Sequence, residues 1–167
     1  MATLMLVAVV LQTTVGHHLV IFGVSPDLIL VVTICIGLST GPSPGAFAGF
    51  GGGLLRDFML NAPTGLSALA YLSVGYAVGA IRPYVRSSSV AVPLVGVAAG
   101  SLVGESFYIG LSLLLGVPAE PGSRLVQVIV LTGLYNTLLA PLIYPIVRRL
   151  SADPYGEAVF PGRAGRA

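Results

Sequence analysis

A few ionisable side chains fall inside otherwise apolar runs, where such a group either does chemistry or must find a partner. Glu105 stands out, because it sits well inside the apolar stretch from Val90 to Leu115. A charge at that depth costs at least about 2.5 kcal/mol. Ser101, Glu105, Tyr108 and Ser112 share one helix face, so this polar stripe is expected to face protein. Glu105 lies about 23 Å from the cytoplasmic end of its span, and Arg56 about 18 Å from the same end of its own. An intramembrane Arg56–Glu105 pair in the outer half of the membrane follows, with Asp57 nearby. Thr132 and Asn136, four residues apart, offer hydrogen bonds across helices.

The same residues can be tested against catalysis. Asp27 and Asp57 could pose as an aspartyl dyad, but Asp27 follows Ser25-Pro26 and suits the first turn of a helix. His17 and His18 are adjacent, so they point in different directions on a helix, and no third histidine completes a metal site. The patterns G-x-S-x-G and H-E-x-x-H and a phosphate loop are absent. The reading is of a non-enzymatic chain with no cofactor or metal. Cys35, the lone cysteine, lies in the run LILVVTICIGL and reads as a small buried hydrophobe.

The elements that position these groups are helices in a bilayer. Hydrophobic residues make up 55% of the chain and charged ones 8%, with a mean hydropathy of +0.95. An ordinary soluble domain carries about 25% charge, so this chain cannot cover a water-facing surface. Its basic residues are all arginine and scattered, which gives no footprint for nucleic acid. The stretch Gly45–Asp57, GAFAGFGGGLLRD, organises the rest. Gly45, Gly49, Gly53 and Asp57 recur every four residues and line one helix face. In water so much glycine makes a poor helix. In lipid the backbone must satisfy itself, and glycine lets a neighbouring helix come close. That face is expected to pack against another helix or a partner, with Phe47, Phe50, Leu54 and Phe58 on the other sides.

Six spans are expected. They run about Ala2–Phe22, interrupted at Gly16-His17-His18 and retained rather than cleaved, then Asp27–Ser39, Pro44–Phe58, Leu66–Ile81, Val90–Leu115 and Leu125–Val147. Ser25 and Pro26 are expected as N-cap and first residue of the second span, and Thr40–Pro44 as a turn. Pro141 and Pro145 are expected to kink the sixth span. Residues 1–150 form one six-helix transmembrane domain and residues 151–167 a disordered cytoplasmic tail rich in Pro, Gly and Arg. With both termini inside, the inner segments hold Arg82, Arg86, Arg148, Arg149, Arg163 and Arg166, and the outer ones Arg56 and Arg124. The positive-inside rule favours that orientation.

The order of features resembles the MreD family of bacterial rod shape-determining proteins. The likeness runs through Gln12-Thr13-Thr14, Pro26-Asp27-Leu28, the stretch Gly45–Asp57 (close to G-x-x-x-G-F-x-x-G-L-L-x-D), Gly65-Leu66-Ser67-Ala68-Leu69 and Val74-Gly75-Tyr76. It covers the first half of the chain; the second half matches in span number and length. One departure is Gly51-Gly52-Gly53, where the family carries bulkier residues, which implies a looser third helix. The resemblance implies a multi-pass component of the bacterial cytoplasmic membrane that regulates cell shape and lateral peptidoglycan synthesis. Its expected partner is an MreC-like bitopic scaffold, and through it MreB, a glycosyltransferase and a class B penicillin-binding protein. It also implies a helical core similar to the substrate-binding subunits of energy-coupling-factor transporters.

Two functions compete on this reading. One is a non-enzymatic platform whose groove docks the membrane helix of an MreC-like partner. The other is a membrane-embedded subunit that binds a small vitamin-type solute, which needs a preformed pocket with convergent polar groups. The short outer loops offer little beyond His17, His18, Asn61 and Glu120, and there is no tryptophan to stack on a ring. The arginine distribution makes a direct prediction. Topology-reporter fusions at Ala119 and Ala167 should report outside and inside respectively, and an outside signal at Ala167 would overturn the orientation.

Overall fold

The computed structural model describes residues 2–15, 23–60, 63–84, 91–117 and 122–151. Six α-helices carry these residues: α1 (Ala2–Val15), α2 (Leu28–Thr40), α3 (Pro42–Leu60), α4 (Leu66–Ile81), α5 (Ala91–Leu114) and α6 (Gly122–Ser151). One 3-10 turn, Arg82–Tyr84, follows α4.

Helix α2 is the centre. Its sequence LILVVTICIGLST is apolar on every side, and a helix apolar all round belongs inside. Residues 29–38 are all buried, Cys35 among them, and α2 touches each of the other five helices. The remaining helices expose large apolar side chains, from Leu6 and Val10 on α1 to Phe47 and Phe58 on α3 and Leu138 and Leu142 on α6. Phe47 is 78% exposed. An apolar exterior on this scale is unsuited to water and suited to lipid. Helices α5 and α6 (from Arg124) are long and apolar enough to cross a membrane. Helix α2, at 13 residues, is only about 20 Å long against a hydrocarbon layer of about 30 Å.

The glycine row of α3 packs on α4. A Cβ on Gly53 would stand 2.5 Å from the Ser67 carbonyl oxygen, one on Gly49 would collide with the Tyr71 carbonyl, and one on Gly45 with that of Gly75. Helix α4 answers with glycines of its own. A Cβ on Gly75 would strike Gly45, and one on Gly79 would come within 2.5 Å of the carbonyl carbon of Gly41. Gly37 of α2 reaches the same seam, its absent Cβ 2.7 Å from the Gly75 oxygen. Three backbones therefore meet where no side chain fits. Gly51 and Gly52 differ from their neighbour Gly53. Gly51 has open space around it, and Gly52 faces the side chains of Ile29 and Met5. The looseness implied for this helix is thus confined to one face.

Two local expectations are corrected. The N-cap of α2 is Asp27, not Ser25, because the Asp27 carboxylate accepts from the Leu30 N–H at 2.9 Å. Pro26 stays outside the helix, its carbonyl held by Gln12. The turn expected over Thr40–Pro44 narrows to Gly41 alone, at φ +111°, a left-handed conformation that glycine adopts without strain. Pro42 and Pro44 then occupy the first turn of α3, where no intrahelical N–H is required. Helix α6 runs through Pro141 and Pro145 without ending. The end of the first span, with His17 and His18, and Asn61, Glu120 and residues 152–167 lie outside the described residues.

Gly49 and Gly51, two positions apart, should therefore respond oppositely. Gly49→Ala is expected to lower stability by about 1–3 kcal/mol through overpacking, read as a lower unfolding temperature in detergent. Gly51→Ala should leave it unchanged or slightly raised, since alanine is the better helix former.

Candidate functional site

The start of α2 lies inside the protein, and its backbone donors must be met there. Asp27 N–H donates to Asn136 Oδ1 of α6 at 2.9 Å, and Leu28 N–H to Gln12 Oε1 of α1 at 2.8 Å. Gln12 Nε2 returns a bond to the Pro26 carbonyl at 2.9 Å, so one amide side chain clamps the chain on both sides of Asp27. Asn136 Nδ2 donates onward to Ser101 Oγ of α5 at 3.0 Å. Four helices are joined at a single helix terminus.

Asp27 does more than cap. Its second oxygen accepts a hydrogen bond from the Tyr71 hydroxyl of α4 and lies 3.5 Å from Arg56 Nη2 of α3. Arg56 also donates to Ser67 Oγ at 3.3 Å. Its guanidinium lies 5.4 Å from the Tyr71 ring centroid and 5.1 Å from that of Tyr108. Aromatic faces attract a cation most strongly away from water. Arginine suits this place, because its planar fork can stack and donate at the same time.

A cleft of about 180 Å³ opens beside the cluster, lined by Gln12, Ser25, Asp27, Arg56, Glu105 and Thr132 among others. Arg56 and Glu105 therefore share a wall, but the ion pair that Arg56 closes within 4 Å is with Asp27. Glu105, the partner expected from depth, lies beyond 4 Å from the guanidinium. Asp27 is fixed by its capping bond and by Tyr71, which holds its free oxygen toward the guanidinium. Ser101, Glu105 and Ser112 are buried on the protein-facing side of α5, and Thr132 and Asn136 are buried on α6.

Asp57 has a separate post. It accepts from Gly65 N–H at 2.8 Å and Ser67 N–H at 3.1 Å, and so caps α4 from the neighbouring helix. Gly65, at φ +102°, has no side chain to do this itself. Asp27 and Asp57 are thus each occupied at a different helix start, an arrangement for holding backbone. Gly45, Gly49 and Gly53 face α4 and leave no open groove on their side for a partner. Gln12, Ser67 and Tyr71 were not singled out from spacing. The available signals were a lone amide in the apolar run of α1 and the four-residue spacing of Ser67 and Tyr71.

The sequence profile of the family described as rod shape-determining protein MreD matches residues 1–152, a stretch that contains all six helices. No curated protein and no solved structure matches the chain.

The geometry orders the couplings around Arg56. Asp27→Asn and Arg56→Gln should each destabilise, by about 1–2 kcal/mol on the scale of polar contacts in membranes. The Asp27/Arg56 double change should cost less than the sum of its singles, with a coupling larger than that of Arg56/Glu105. Unfolding measurements on both cycles would decide it, and strict additivity for Asp27/Arg56 would refute the pair.

Proposed function

The chain belongs to the MreD family of rod shape-determining membrane proteins, and from that premise we propose that it is a multi-pass, non-enzymatic component of the bacterial cell-elongation complex. It lies in the cytoplasmic membrane with both termini inside. There it binds an MreC-like bitopic scaffold and through it supports MreB, a glycosyltransferase and a class B penicillin-binding protein in lateral peptidoglycan synthesis. The six helices act as one bundle, of the architecture that the resemblance extends to energy-coupling-factor transport subunits.

The observation that carries the reading is the extent of the family match, residues 1–152, across the whole bundle. The interior supports it too. The polar residues at the starts of α2 and α4 hold helices together, as a scaffold requires. A place for the partner's helix is supported by an apolar groove of about 630 Å³ between α1 and α3, lined by Met5, Leu6, Pro44, Phe47, Gly51 and Leu55. Gly51 gives its floor room for a close-packed helix. The competing solute-binding reading has less support. The polar cleft, at about 180 Å³, is smaller than the roughly 300–1,000 Å³ usual for vitamin-sized ligands.

Filling the groove separates docking from folding. Gly51→Leu should leave the purified protein as stable as the parent, because nothing lies within 4 Å of that position. Co-purification of the MreC-like partner should fall, and rod shape should fail in a strain that depends on this chain. Undiminished co-purification would move the partner to another face.

A further inference from the structure

The cleft at the start of α2 is lined by two carboxylates, Asp27 and Glu105, and one guanidinium, Arg56. Arg56 is engaged by Asp27, Ser67 and two tyrosine rings. Glu105 lines the same cleft and is only 5% exposed. Among the described residues it makes no hydrogen bond and no ion pair within 4 Å. Two buried carboxylates therefore share one guanidinium.

The groups around Glu105 come from every neighbouring helix. Asp27 stands on α2, Arg56 on α3 and Thr132 on α6, while Tyr71 of α4 and Tyr108 of α5 flank the guanidinium. Arg124 is exposed near the rim, 3.7 Å from where a Cβ on Gly23 would be. An anion is poorly served here. The backbone N–H groups that a helix start could offer it are already taken by Gln12, Asp27 and Asn136. Asp27 and Glu105 can carry two negative charges against the one positive charge of Arg56, a balance that calls for a single further positive charge rather than two. The volume, about 180 Å³, holds several waters' worth of ligand. A carboxylate away from water needs a partner, a wet cavity or a proton.

We infer that this cleft is a binding site for a small monovalent cation, between sodium and methylammonium in size. Glu105 is its charged wall, and Ser25 and Thr132 also line it. The inference does not depend on the docking of an MreC-like partner.

The test uses the purified full chain in detergent at constant ionic strength, with choline chloride replaced stepwise by sodium chloride or methylammonium chloride. At least one of the two should raise the unfolding temperature saturably, by about 2–4 °C well above half-saturation. Glu105→Asp should keep the response at a higher half-saturating concentration, and Glu105→Gln should lose it. A second measurement needs no variant. Dicyclohexylcarbodiimide attacks protonated buried carboxyls, and mass spectrometry locates the adduct. The stabilising cation should protect Glu105 from labelling where choline does not. An unfolding temperature indifferent to both cations, or labelling of Glu105 that neither slows, would overturn the site and leave Glu105 simply protonated. A response retained in full by Glu105→Gln would overturn it as well.

Discussion

The structure depends on what becomes of backbone N–H groups where short helices begin inside the protein. A helix start leaves four donors unpaired, and within a bilayer there is no water to take them. Helix α2, at about 20 Å, is too short to span the hydrocarbon layer, and its start at Asp27 is buried in the bundle. The chain answers with side chains from elsewhere. Gln12 comes from α1, Asn136 from α6, and Asp27 serves its own helix. Helix α4 is handled the same way by Asp57 of α3. Apart from the Asp27 cap, each of these bonds joins two elements, so meeting the local need also fixes the global arrangement.

Placing a carboxylate at the start of α2 creates a second need. The positive end of the helix dipole favours Asp27 but does not replace the water it has lost. Arg56 and the Tyr71 hydroxyl supply the rest. Arg56 can reach because α3 lies close to α4 and α2, and that approach depends on Gly45, Gly49, Gly53, Gly75 and Gly37. The glycine seam and the polar cluster are thus one device. The seam brings the backbones together, and the cluster is built along the same interface. Between the seam and the cleft lies Tyr71, whose carbonyl packs on Gly49 and whose hydroxyl binds Asp27.

These structural duties are met inside the bundle. Asp27, Asp57 and the three glycines of α3 are occupied within the chain. What faces outward is apolar, from the phenylalanines of α3 to the leucines of α6. A membrane component of the rod-shape machinery fits that pattern.

The sequence by itself determined the helices and the residues that matter. Periodicity and breakers are local, and they placed α4 at Leu66–Ile81 and α5 within a residue of Ala91–Leu114. The rule that polar groups in apolar spans need partners picked out Arg56, Asp57, Glu105, Thr132 and Asn136. Only the tertiary structure decided who pairs with whom. Depth along a helix is one coordinate, and by depth alone Glu105 was a fit partner for Arg56. The azimuth and the packing order of the helices brought Asp27 nearer, and spacing within one segment carries neither. For the same reason Gln12 read as one polar residue in an apolar run, although its two bonds hold the start of α2 across 14 and 16 residues of chain. The glycine row announced close approach, but its partner was legible only once α4 lay against it, because a bare backbone face is complementary to any other.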